Sequence, residues 1–166
     1  MSIKNRIKQL FPLVMCLSII TACSNDSNEQ VISKKKESTK LKSGNFVLQI
    51  KTPTEVRMGD KFELEGSIKY IGEKETYLLH GSKDIHFVIT NVHGQNIDDD
   101  TAYAGVGMET KLKTGDVLSE KEGYKINKKG TYNIAVITSF DESVSGDIED
   151  GKRVQMKING LKLIVK

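Results

Sequence analysis

From Phe46 onward, apolar and polar residues alternate in short runs broken by turn-forming residues. Phe62, Leu64, Ile68 and Tyr70 recur at every second position, Gly66 continues their face, and Glu63, Glu65 and Lys69 stand opposite. That period predicts a half-buried strand, whose side chains point alternately to core and solvent. Phe46 and Leu48 open an earlier strand ending at Pro53, and Thr76–Leu79 and Ile85–Thr90 give two more. Asp116–Ile126 reads as a charged, edge-like strand. Met58-Gly59-Asp60, Gly72-Glu73, His80-Gly81-Ser82 and His93-Gly94 supply the turn chemistry between the runs.

Thr131–Phe140 carries the strongest pattern: Tyr132, Ile134, Val136 and Phe140 on one face, Ala135 and Ile137 on the other. A strand apolar on both sides belongs in the middle of a sheet. At the C-terminus, Val154, Met156 and Ile158 alternate, then Leu161, Leu163 and Val165 alternate in the opposite phase, with Asn159-Gly160 at the change. A hairpin turn or a bulge would produce that shift; the bulge is preferred, because one long final strand then pairs with Thr131–Phe140. No run shows a helical period. The expectation is an all-β fold, an immunoglobulin-like β-sandwich of about seven to nine strands over residues 44–166.

The pattern is different before Gly44. Ser24–Ser43 is rich in Ser, Asn, Lys and Glu and has only Val31, Ile32 and Leu41 as sizeable apolar residues, so residues 23–43 are expected to form a flexible tether. Its lysines, Lys34-Lys35-Lys36 with Lys40 and Lys42, suit a spacer beside an anionic lipid surface. Residues 1–22 combine a basic head (Lys4, Arg6, Lys8) with an apolar stretch too short to span a bilayer as a helix, the pattern of a signal peptide. Its close, Ile20-Thr21-Ala22-Cys23, resembles the lipobox of bacterial lipoproteins. The resemblance implies cleavage between Ala22 and Cys23, diacylglycerol on the Cys23 thiol, and a domain anchored to the extracytoplasmic face of a cell membrane.

Removing the signal changes the charge and the cysteine count. The full chain has 25 Lys+Arg against 22 Asp+Glu; losing Lys4, Arg6 and Lys8 leaves the two balanced, so overall charge gives no reason to expect nucleic-acid binding. Of the two cysteines, Cys16 leaves with the signal and Cys23 is consumed by lipid, which excludes disulfides and thiol chemistry from the domain.

Asp60–Lys166 is similar in layout to the bacterial intracellular proteinase inhibitor (BsuPI-like) group. The points of likeness are Phe62–Tyr70, Ile85–Thr90 with Asn91-Val92-His93-Gly94, Leu112–Asp116, and Gly130-Thr131-Tyr132. These are strand and turn residues, so the likeness implies an immunoglobulin-like fold and carries over no reactive-site residue. It also resembles the corner in which a tyrosine hydroxyl bonds back to upstream backbone, a role that falls to Tyr132. Gly130, Tyr132 and Gly160 are thus the structural residues singled out.

Chemistry-bearing patterns are sparse. His80, His86 and His93, with Met58 or Met108, are the residue types of a copper site, but their spacing fits no ligand motif. Asp98-Asp99-Asp100 lacks the offsets of a calcium loop. No nucleophile elbow or phosphate-binding glycine motif occurs, and no cofactor or metal is expected. Asn96–Met108, holding those aspartates and Tyr103, is a long loop of the kind that carries binding on rigid sandwiches. The functional expectation is a non-catalytic, monomeric binding module that engages an envelope protein or polymer through Asp98, Asp99, Asp100 and Tyr103. Extracytoplasmic protease inhibition and copper handling are the alternatives.

Overall fold

The computed structural model describes residues 36–81, 83–97 and 107–166. It is an all-β sandwich of two sheets. One holds β1 (Lys36–Ser43), β2 (Phe46–Pro53), β4 (Lys61–Tyr70) and β8 (Val117–Lys125), in the order β1-β2-β4-β8. The other holds β3 (Glu55–Val56), β10 (Lys152–Val165), β9 (Gly130–Ser143), β5 (Thr76–His80) and β7 (Met108–Leu112), in the order β3-β10-β9-β5-β7, with β6 (His86–Asn91) also on β9. All pairings are antiparallel except that of β3 with β10.

The alternation read from the sequence sets the layers. Phe62, Leu64, Ile68 and Tyr70 of β4 are buried, as are Tyr132, Ile134, Val136 and Phe140 of β9. Phe46 joins the sheets, with ring centroids 5.3 Å from Tyr70 in its own sheet and 4.8 Å from Phe140 in the other. Gly66 leaves room for the opposite layer: a Cβ there would lie 2.8 Å from Ile85 Cγ2. β9 is central, between β10 on one side and β5 and β6 on the other. Ala135 and Ile137, on its outer face, are half-buried.

β10 is one strand, with its register shift between Ile158 and Leu161 and Gly160 at φ +78°, a conformation glycine adopts without a Cβ clash. Ahead of β9, the Tyr132 hydroxyl donates to the Lys128 carbonyl at 2.8 Å, as the resemblance to the sandwich corner implies.

Three elements differ from the expectation. β1 occupies Lys36–Ser43, inside the segment expected to be tether, so the ordered domain reaches back to Lys36. Only Leu41 packs on the core there, and backbone pairing along β2 replaces the missing hydrophobic pattern. β7 forms at the end of the expected loop, pairing with β5 although only Leu112 is buried. With the two-residue β3, these bring the strands among the described residues to ten.

The chain leaves the sheet after β5, crosses to the other layer, and rejoins β9 as β6. Glu120 of β8 receives that crossover: its carboxylate accepts the Asp84 N–H at 2.6 Å and the Ile85 N–H at 3.3 Å, while Lys83 pairs with Glu122 at 2.6 Å. Glu120 and Glu122 stand on the inward parity of an edge strand, where Glu120 accepts from the Asp84 and Ile85 backbone.

Candidate functional site

The crossover concentrates titratable groups. His80 Nδ1 lies 2.6 Å from Asp84 Oδ1 and 2.8 Å from the Gly81 carbonyl, and Nε2 lies 2.9 Å from Thr110 Oγ1. The side chains are 7% and 12% exposed for His80 and Asp84. Facing two acceptors, Nδ1 carries the proton, and Nε2 accepts from the Thr110 hydroxyl when the ring is neutral. One N–H cannot fully satisfy both acceptors, so the buried Asp84 oxygen is under-satisfied. Burial pushes the Asp84 carboxyl above its ordinary range; His80 pulls it back, Glu120 adds to the rise, and His86 opposes it.

Carboxylate, imidazole and hydroxyl follow one another here in the order of a nucleophilic triad. The arrangement fits a clamp that ties the crossover to β7 through Thr110.

A groove of about 370 Å³ opens beside this clamp. Leu79, His80, Met108, Asp141, Ile148 and Arg153 line it. Arg153 Nε sits 3.3 Å from Asp141 Oδ1 and Nη1 3.4 Å from Ser139 Oγ. Met108 and Ile148 are 47% and 76% exposed, so the groove presents two large apolar side chains beside a charged pair. Ile148 is offered by a single 3₁₀ turn, Ile148–Asp150, whose Asp147 cap accepts the Glu149 N–H. Asp150 braces the turn by accepting from the Ser143 and Ser145 hydroxyls, which hold its carboxyl below the usual range.

A second concavity, about 580 Å³, lies at one end of the sandwich between Asn91–Ile97 and Lys125–Tyr132. Asn91 Oδ1 shapes the first loop, accepting the N–H groups of His93 at 2.9 Å and Gln95 at 3.1 Å. The tyrosine corner shapes the second, turning Lys128 and Lys129 outward.

Ala22 and Cys23 lie outside the described residues, as do Asp98, Asp99, Asp100 and Tyr103. The two edges of that loop are described: Ile97 borders the end concavity, and Met108 borders the flank groove. The structure brings His80 and Met108 opposite each other in the β5–β7 ladder, whereas Met58 and His93 lie in loops at the sandwich end and His86 stands at the start of β6. Both His80 nitrogens are engaged by protein groups, and among the described residues no three His, Cys, Asp or Glu side chains are grouped to hold a metal ion. Asp84, Glu120, Ile148 and Arg153 had no motif to announce them; the inward parity of Glu120 was the one usable signal.

No protein-family model matches the sequence, and no curated protein matches it. Among solved structures, the chain is similar to an ApaA-like protein from Bordetella pertussis at a TM-score of 0.42 and 12% identity, covering 81% of this chain and 98% of that one.

Proposed function

We propose that this chain is a cell-envelope lipoprotein whose β-sandwich is a non-catalytic, monomeric binding module. Diacylglycerol on Cys23 holds it to the extracytoplasmic face of the membrane, and its partner is an envelope protein or polymer. The observation that carries the binding reading is the flank groove: exposed Met108 and Ile148 beside the Arg153–Asp141 pair, with Met108 closing the segment Asn96–Met108. Exposed apolar anchors next to an arginine are the composition of contact surfaces rather than of solvated strands. No cofactor enters this reading.

The test is capture of cross-linked partners from intact membranes. Wild type is compared with a variant in which Asn96–Met108 is replaced by a Gly/Ser loop, and with Ile148→Ser/Arg153→Glu. Both variants are expected to lose the same partner by at least about tenfold, the effect of one lost hot spot. An unchanged set of partners in both would remove the groove and loop from the account.

A further inference from the structure

We propose that the end of the sandwich carrying Lys125–Gly130 is a docking face for an anionic lipid surface, so that the domain stands on the membrane with its opposite end outward. This rests on the lipoprotein reading for its orientation, but the face itself is argued from the described residues alone.

Charge is polarised along the strands. At the docking end the loops and strand termini present Arg57, Lys61, Lys125, Lys128, Lys129 and Lys166, against Glu55 and Asp60. Glu55 pairs with Lys166 at 2.6 Å, so the two offset each other. The opposite end reverses the balance: its exposed turns and strand termini hold Glu73, Glu75, Asp116, Asp147, Glu149 and Asp150, against Lys42, Lys74, Lys113 and Lys152. Among the described residues one end is thus basic and the other acidic, and an anionic surface aligns them.

Two further observations favour a bilayer as the occupant. Apolar side chains are exposed at both ends, Met58 and Val92 at the basic one and Val117, Val144 and Ile148 at the acidic one, but only at the basic end do they stand among lysines and an arginine. Cations interleaved with exposed apolar residues match the headgroup–acyl boundary, where ammonium groups meet phosphates and apolar tips enter below them. The attachment geometry agrees. β1 begins at this same end, since Lys36 lies opposite Pro53, where β2 finishes. Twelve residues lie between Cys23 and Lys36, a reach of at most about 45 Å even fully extended. A lipid on Cys23 therefore attaches to the domain through its basic end.

The experiment is vesicle flotation of residues 24–166, which retain every core residue from Phe46 to Val165 and carry no lipid. Vesicles are phosphatidylcholine alone or with about one-third phosphatidylglycerol, at ~0.1 M salt. Binding to the anionic vesicles only is expected. Lys125→Gln/Lys128→Gln/Lys129→Gln should weaken it about a hundredfold, the effect of three near-surface charges, with an unchanged urea midpoint because all three side chains are exposed. Lys42→Gln/Lys74→Gln/Lys113→Gln, which removes as many charges toward the opposite end, should bind as wild type. Equal binding by both triple variants, or no flotation of the unmodified fragment, overturns the docking face. So does tight binding to soluble poly-glutamate without flotation, which would identify a site for an acidic polymer instead. Intact mass of the full-length expressed protein reports lipidation at Cys23 separately, so an absent anchor and an absent docking face are distinguishable.

Discussion

Single residues in this fold are explained by what faces them across the layers. Gly66 exists because Ile85 and Phe87 fill the space a side chain would take; Gly66→Ala places a Cβ under 3 Å from Ile85 and is expected to destabilise by about 1–3 kcal/mol in urea unfolding. Tyr132→Phe removes one hydroxyl bond to Lys128 and leaves a carbonyl without its partner, so a loss of about 1 kcal/mol is expected by the same measurement. Tyr132 was legible from its local sequence. Asp84 was not, because its partners His80, Glu120 and His86 meet it only once the crossover forms. Since burial raises its pKa in the fold, the folded state holds the proton more tightly than the unfolded chain. Its contribution is greatest below the ordinary value near 3.8 and is lost as pH rises through the folded value. Asp84→Asn should therefore lack that acid-range decline. Urea midpoints stepped in pH check this, and a wild-type advantage that grows with pH would contradict it.

At the scale of elements, periodicity revealed the strands that bury side chains and missed those held by backbone pairing. β4, β9 and the two phases of β10 each place an apolar residue at every second position, so their faces and the bulge at Gly160 could be read directly. β1 and β7 are edge strands, each contributing little to the core, and their sequences look like linker and loop. β1 is nonetheless structural. Lys36 pairs with Glu65 at 2.5 Å and is the main cause of that carboxyl's lowered pKa, and Leu41 packs against the core. Removing residues 24–43 from the mature chain is expected to reduce the unfolding free energy by about 2 kcal/mol or more, from the half-buried leucine and the lost ladder. A truncated chain with an unchanged denaturation midpoint would show that the ordered domain begins at Gly44 after all. The flank groove was beyond sequence reading for a related reason: it is assembled from β5, β7, β9, the 3₁₀ turn and β10, which no local window spans.

For the whole molecule, the elements place the candidate binding groove on the flank of one sheet, the basic loops at the end where β1 begins, and the acidic turns at the far end. In the proposed account these parts have one orientation in common: lipid and lysines toward the bilayer, groove to the side. The anchor is the premise on which that orientation depends, and the mass of the protein recovered from membranes tests it most directly. The account expects a chain beginning at Cys23, lighter by residues 1–22 and heavier by a thioether-linked diacylglycerol, with Cys23→Ala showing neither the cleavage nor the lipid. An unmodified Cys23, or a mature chain beginning at another residue, would contradict it.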